Sequence, residues 1–279
     1  MEHALTFPAK ARPFPRGQVI FALIRRDLLI TRSYRLAFVM DIVFAFLNLA
    51  VFFYISRTFR NAPTVNLHGA PTYFAFAAVG IALTTVIETA SVGLGRKMRE
   101  EQLTGTLEAL LTQPITIVEV AFGIAGFPFL FATVRALLYL AIAWVWAGIG
   151  LGSASAVGFF VVLLMAAGAF FGLGILLGAV VLVVKRGDML VGMLLFAMGF
   201  VSGGLYPVDV LPGWMQAIGR VVPTRFAFDG IRSAIFNGHG WGDDALLLLA
   251  FAVCGIPLAI WLFREALLYT RRHGTLGQY

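Results

Sequence analysis

The chain has 279 residues, of which 60% are hydrophobic and 13% are charged, and its mean hydropathy is +0.89. This composition excludes a soluble globular protein, and the length leaves no room for a second globular domain. The net charge of +7 does not indicate nucleic-acid binding, because the basic residues are grouped in the loops between long apolar segments.

The N-terminal segment, residues 1–35, is predicted to be cytoplasmic and to contain an amphipathic helix. Within residues 17–35, apolar positions recur near helical spacing, and Arg25, Arg26 and Arg32 can reach anionic headgroups. This pattern favours a helix that lies on the cytoplasmic leaflet. The alternative is an ordinary basic flank that only fixes the orientation of the first span.

Residues 36–268 are predicted to form one transmembrane domain, because only helices or closed barrels cross a bilayer and these apolar runs are helical in length. The six predicted spans are 36–56, 72–95, 116–147, 156–184, 189–206 and 245–263. The predicted fold is therefore all-α and polytopic. Pro128 lies inside the third run and predicts a kink or an early break there. Glycine pairs at four-residue spacing in the fourth run, such as Gly168 and Gly172, predict close helix packing.

The distribution of Lys and Arg predicts the orientation of the chain. Fifteen of them lie in residues 1–35, in the loops at 96–114 and 185–188, and from Arg264 onward, whereas five lie in the remaining loops. By the positive-inside rule both termini are cytoplasmic, which requires an even number of spans. The sequence thus predicts a multi-pass protein of the cell (inner) membrane with a short cytoplasmic tail at 269–279. Surrounding lipids are its first expected partners.

Four charged residues fall within the predicted spans, namely Asp41, Glu88, Glu119 and Arg135, and of these Asp41 and Glu119 lie near the cytoplasmic ends. A charge at bilayer depth requires a partner or a water-filled cavity. Antiparallel neighbouring spans can bring Glu88 and Arg135 together as a structural pair. The alternative is that one of them lines a route for cargo.

Residues 207–244 are predicted to form a helical hairpin on the extracytoplasmic side. Pro207, Pro212 and Pro223 divide the segment, and apolar residues around Trp214 fall on one helical face. A second short helix is predicted to follow and to end at Asn237-Gly238. Both helices are too short to span, which favours a re-entrant or interfacial hairpin over a plain extracellular loop.

The sequence lacks the patterns expected of an enzyme. It has no Gly-rich phosphate loop ending in Lys-Ser/Thr, so we expect no ATP to bind to this chain by that route. Its four histidines show no metal-ligand spacing, its single cysteine, Cys254, cannot form an internal disulfide, and no nucleophile–base pattern is evident. We therefore predict no catalytic residue, no metal site and no cofactor bound by the chain itself.

The cytoplasmic loop 96–114 is suited to docking another protein. It runs from basic to acidic residues, is broken at Gly105 and closes at Pro114. Between them a short helix is predicted, with Glu108 near its start and leucines on one face.

This loop resembles the membrane subunits of type-2 ATP-binding-cassette (ABC-2) exporters, in which an acidic stretch precedes Gly-Thr-Leu-Glu-x-Leu-Leu and a proline. Arg25-Arg26-Asp27, the six-span layout and the Pro-x-x-x-Leu-Pro-x-Trp run at 207–214 are also similar to that family. In the Asn-Pro-like position that precedes Phe228-Asp229-Gly230-Ile231-Arg232, this chain has Val222-Pro223, which departs from the family pattern. The resemblance covers nearly the whole chain.

The resemblance implies a half-transporter that pairs with a second permease subunit, expected to be identical, and engages a separate nucleotide-binding ATPase that carries ATP and Mg²⁺. The implied coupling residues are Arg99, Glu100, Glu101, Gly105, Thr106, Leu107, Glu108, Leu110 and Leu111. The outer hairpin, with Pro207, Pro212, Trp214, Pro223, Asp229 and Arg232, is implied to close the far end of the route.

The expected function is therefore that of a permease subunit of an ATP-driven exporter for an amphipathic or lipid-like cargo, such as a drug, a lipid or a lipid-linked saccharide. A stand-alone secondary carrier or channel is the alternative, which predicts ionisable residues at matched depth and often inverted repeats. We detect no such repeat. A membrane assembly or sensor protein without transport is a third interpretation, but it gives the cytoplasmic motif no ATPase to dock.

Overall fold

The computed structural model describes residues 16–33, 35–58, 67–103, 117–147, 154–183 and 187–272. Within these ranges the chain forms helices and turns and contains no strand, as the sequence predicts. The helices are α1 (Arg16–Ser33), α2 (Arg35–Thr58), α3 (Tyr73–Leu103), α4 (Ile117–Ala147), α5 (Ala156–Val183), α6 (Gly187–Val201), α7 (Gly213–Gly219), α8 (Pro223–Arg232) and α9 (Gly242–Arg272).

Four of the described helices contain segments long and apolar enough to cross a bilayer. These segments are Tyr73–Gly93 in α3, Gly126–Trp146 in α4, Ala156–Val180 in α5 and Gly242–Ala266 in α9. Two shorter apolar segments, Ile42–Thr58 in α2 and Met189–Val201 in α6, fall where the first and fifth spans were predicted. The structure therefore supports a polytopic membrane protein, and the count of six spans stays a prediction.

The fifth predicted span is shorter than the hydropathy indicates. The prediction placed its end at 206, whereas α6 ends at Val201 and is followed by a turn. Gly203 in that turn has φ +74°, a left-handed conformation that residues other than glycine rarely adopt. Conversely, α4 continues through Pro128, so the early break considered at that proline does not occur.

Helices α5 and α9 share the most extensive contact in the bundle. An ideal Cβ at Gly168 would lie 3.2 Å from the Ala252 side chain, and one at Gly172 would lie 3.1 Å from that of Ile256. Helix α5 also approaches α3 closely at Gly174, because a Cβ on Gly174 would lie 2.6 Å from the Ala90 carbonyl oxygen of α3. These glycines therefore serve helix packing within the chain.

The most completely buried helical segment is the first part of α3, where every residue from Phe74 to Leu83 is buried. This segment packs against α4, α5 and α8. At the same end of the bundle, the Phe74 backbone N–H donates to Ser56 Oγ at 3.2 Å, and Trp146 stacks on Phe53 with ring centroids 4.8 Å apart. We call this end, which contains residues 202–241, the hairpin end.

Helix α1 packs against α4 at the opposite end of the bundle. A Cβ at Gly123 would lie 2.3 Å from Leu23 Cδ1, and one at Gly126 would lie 2.8 Å from Ile24 Cδ1. Asp27 on the same helix is buried and bonded to the Arg26 guanidinium at 3.0 Å. The predicted N-terminal helix is therefore present, and its apolar face meets another helix of the chain.

Candidate functional site at the hairpin end

In the segment predicted as an outer hairpin, 207–244, the structure has two short helices, α7 and α8, and a π-helical turn, while the re-entrant or interfacial placement of this segment stays a prediction. Pro212 precedes α7, and Pro223 occupies the first position of α8, where a missing N–H is harmless. After α8 the chain continues as a π-helical turn, Ser233–Asn237, which ends at Gly238 with φ +75°. The predicted stop at Asn237-Gly238 is therefore confirmed.

The departure from the family pattern at Val222 has a visible consequence. Val222 is the N-cap of α8, a position where Asn or Ser would accept a hydrogen bond from the first turn. The valine side chain makes no such bond. Thr224 is instead bonded through its hydroxyl to Ser202, which fastens the start of α8 to the end of α6.

Arg232, at the end of α8, is the charged residue most completely enclosed by this site. Its side chain is 1% exposed. One terminal nitrogen, Nη1, donates to the Gly203 carbonyl oxygen at 2.9 Å, and the other, Nη2, donates to that of Gly204 at 2.8 Å. Nη2 also lies 3.4 Å from the Phe76 carbonyl oxygen on α3. The guanidinium therefore joins three segments that are distant in sequence.

Two aromatic rings complete the surroundings of Arg232. The guanidinium carbon lies 3.5 Å from the centroid of the Phe76 ring and 5.4 Å from that of the Phe228 ring. Both distances fall within the range of cation–π attraction. Burial lowers the pKa of Arg232 to about 9, and the Asp229 carboxylate opposes that decrease. The side chain is thus a cation at neutral pH, held by carbonyl oxygens and ring faces.

Asp229 forms a second, more exposed polar group on α8. Its Oδ2 lies 3.3 Å from Arg225 Nε, one helical turn away, and its Oδ1 lies 3.8 Å from His68 Nδ1. His68 precedes Gly69, which has φ +84° and where a Cβ would lie 2.3 Å from Asn237 Oδ1. The segment before α3 is therefore packed directly against the end of the hairpin.

The other predicted hairpin residues differ in how far they are exposed. Pro207 is buried beside the turn, whereas Pro212 and Trp214 are exposed. Trp214 and Ile218 leave an apolar face of α7 uncovered, with Trp214 63% exposed, and Val221, just after the helix, is exposed as well. In a membrane, such a face is covered by lipid or by a protein partner.

Only three of the predicted coupling residues lie in the part of the chain that the structure describes. Arg99, Glu100 and Glu101 belong to the last turns of α3, at the opposite end of the bundle from the hairpin. Gly105, Thr106, Leu107, Glu108, Leu110 and Leu111 lie outside the described residues.

The structure places Asp41, Glu88 and Arg135 on three different helices, and Glu119 lies on α4 together with Arg135. Asp41 lies in α2, and Glu88 is exposed on α3. On α4, the Arg135 guanidinium carbon lies 5.9 Å from the centroid of the Tyr139 ring. Among the ion pairs described for residues 67–103 and 117–147, none joins Glu88 to Arg135.

Comparison with known proteins identifies the family. The family model described as "ABC-2 type transporter" matches residues 18–236, which include α1, five further helices and most of the hairpin. The chain belongs to the ABC-2 type transporter family. Membership assigns these residues to the membrane-spanning part of an ABC transporter.

A curated relative of this ABC-2 permease is the "Linearmycin resistance permease protein LnrN" of Bacillus subtilis (strain 168). The two sequences are 27% identical over 183 residues, which amount to 65% of this chain and 45% of the relative. The chain thus spans less than half the length of that relative.

Sequence reasoning about this ABC-2 permease missed most of the partners of Arg232. It did not connect Arg232 with Phe76, Gly80, Gly203 or Gly204, and it did not single out Ser202 and Thr224, which are bonded to each other nearby. Most of them act through backbone atoms or by lacking a side chain, which leaves no chemical signature. The one available signal was the Ser202-Gly203-Gly204 run, which sits inside a predicted span and could have indicated a turn.

Proposed function

We propose that this chain is the permease subunit of an ATP-driven exporter that moves an amphipathic or lipid-like cargo out of the cytoplasm. The observation that carries the proposal is the ABC-2 family match over residues 18–236. A bundle with four apolar helices of spanning length supports it, because a permease must line a route through the bilayer.

The proposed engine is a separate ATPase subunit that binds ATP and Mg²⁺ and docks on residues 96–114. This assignment rests on the Gly-Thr-Leu-Glu-x-Leu-Leu motif and on the absence of a phosphate-binding loop from the sequence. Helix α3 leads directly into the motif, so a movement of the docked ATPase would act on the end of a spanning helix.

A second permease subunit is proposed to complete the route, and a homodimer is the simplest arrangement. Large apolar side chains on α6 and α7 face outward, among them Met193 at 71% and Phe196 at 73% exposure. Lipid and a second copy are the two environments that would cover them. The hairpin, which is fastened to α3 and α6, would close the far end of the route between the two copies.

The proposed orientation places the hairpin end outside and both termini in the cytoplasm of a cell whose inner membrane contains the protein. The excess of Lys and Arg in the N-terminal segment, in loops 96–114 and 185–188, and near the C-terminus supports it. In this orientation Arg99, Glu100 and Glu101 are on the side where ATP is available.

The cargo class is supported by two features. The relative's name attributes linearmycin resistance to a permease, which is what export of a toxic compound would produce. The chain has 26 Phe and 5 Trp, which suit an apolar or amphipathic molecule, although aromatic side chains also face lipid. A stand-alone carrier is less well supported, because the sequence shows no internal inverted repeat.

Drug sensitivity tests the proposal in cells. A strain lacking the gene should be more sensitive to linearmycin, or to other compounds in a panel of amphipathic antibiotics, than the complemented strain. Complementation with Glu108→Arg should fail, because the reversed charge opposes docking of the ATPase. Glu265→Arg, which changes an exposed acid on α9, serves as the matched control and should complement. Equal complementation by both variants would contradict the docking role of residues 96–114.

A further inference from the structure

The contacts of Arg232 link the hairpin to helix α3, and we call this set of contacts the joint. Its guanidinium bonds to the Gly203 and Gly204 carbonyl oxygens in the turn after α6 and approaches the Phe76 carbonyl oxygen and ring on α3. Because Arg232 itself belongs to α8, a single side chain joins the hairpin helix, the turn and the spanning helix. All of these contacts are buried.

The turn and α3 also touch without an intervening side chain. An ideal Cβ at Gly80 would lie 1.7 Å from the Gly204 carbonyl oxygen and 3.2 Å from Arg232 Nη2. Two turns nearer the start of α3, the Tyr73 hydroxyl donates to the Leu205 carbonyl oxygen at 3.0 Å. The turn is thus fastened to α3 at Tyr73, Phe76 and Gly80, along two consecutive turns of the helix.

Helix α3 connects this joint to the other end of the bundle. It is continuous over 31 residues, from Tyr73 to Leu103. At about 1.5 Å per residue this length corresponds to roughly 46 Å, enough to cross the membrane and project beyond it. Its last turns contain Arg99, Glu100 and Glu101, and it leads into the Gly-Thr-Leu-Glu motif.

We propose that Arg232 is a positioning residue that makes the outer hairpin and α3 move as one body when the ATPase acts on the other end of α3. This inference rests on the proposed function, since it requires an ATPase docked at residues 96–114. In this proposal the hairpin does not move independently. The ATPase moves it through α3.

The chemistry of the joint requires arginine. Arginine presents several N–H donors in a fixed planar fork and stacks on ring faces, whereas lysine carries a compact point charge. Here the two terminal nitrogens reach carbonyl oxygens on the turn and on α3 while the same plane lies over the Phe76 ring. A lysine would keep the positive charge and could not make all of these contacts together.

Fluorescence from the hairpin tests the proposal without knowledge of the cargo. In a Cys254→Ser background, an environment-sensitive fluorophore is attached at Asp209→Cys, an exposed hairpin position, and the complete complex with its ATPase is placed in nanodiscs. The emission is recorded without nucleotide, with ATP and after trapping with vanadate. The wild-type complex should change its emission with nucleotide. In Arg232→Lys that change should be lost, because the hairpin no longer follows α3, while ATP hydrolysis continues.

Two further variants keep the result interpretable. Arg220→Lys changes an exposed arginine of the same hairpin and should respond to nucleotide like the wild type. Gly80→Ala, which displaces the turn from the α3 side, should lose the response as Arg232→Lys does, and so gives an independent test if the latter folds poorly. A full nucleotide response in both Arg232→Lys and Gly80→Ala would overturn the proposal. If instead no ATPase associates with the wild-type protein, the proposed function itself fails.

Discussion

The positive charge of Arg232 is stabilised mainly by backbone carbonyl oxygens and aromatic rings, although Asp229 is only three residues away. Asp229 is instead paired with Arg225 and lies near His68. The Gly204 carbonyl oxygen that accepts from Arg232 lies against the backbone of α3, in the space that a side chain on residue 80 would fill. Glycine at position 80 therefore allows this approach of the turn to α3. The pair of glycines is therefore as necessary to the joint as the arginine.

At Gly80, substitution by alanine should destabilise the protein. The added methyl group would lie 1.7 Å from the Gly204 carbonyl oxygen, so the turn must move and the bonds of Arg232 must lengthen. Overpacking of this kind costs about 1–3 kcal/mol. The matched control is Gly199→Ala in α6, where the new Cβ would meet no described atom within 4 Å. Thermal unfolding in detergent should give a lower Tm for Gly80→Ala than for Gly199→Ala, and equal values would contradict this packing.

The secondary-structure elements at the hairpin end show what the sequence could and could not predict. The proline at the start of α8 and the glycine after Asn237 mark the ends of a helical segment through local conformational rules, so both were predictable. The end of α6 was not, because hydropathy continues past Val201 while the turn depends on Gly203 at φ +74°. The partners of Arg232 were also unpredictable, since carbonyl oxygens have no residue type and come from segments 28 to 156 residues away.

The side of the membrane that the hairpin occupies can be measured directly. In a Cys254→Ser background, Asp209→Cys reports on the hairpin and Arg96→Cys on the far part of α3, and both native residues are exposed. In right-side-out vesicles, a membrane-impermeant maleimide should label Asp209→Cys at once and Arg96→Cys only after permeabilisation. The reverse order would show that the positive-inside assignment is wrong.

At the scale of the whole molecule, the bundle separates two tasks. One end, where α3, α6 and α8 meet at Arg232, is closely packed and fastened by buried polar contacts. At the other end, α3 leads into the predicted docking motif, and α1 packs against α4. The ABC-2 family places this bundle in an ABC transporter, and the continuous α3 links the hairpin end to the proposed docking site of the ATPase.

Co-purification tests our proposal that an ATPase docked on residues 96–114 drives this permease. The tagged wild-type protein and a variant with residues 104–111 scrambled are purified in mild detergent, and co-eluting proteins are identified by mass spectrometry. A nucleotide-binding ATPase should accompany the wild type and be lost from the variant, while both proteins remain folded and membrane-inserted. Absence of an ATPase from a folded wild-type preparation, or its equal recovery with the scrambled variant, would contradict the claim.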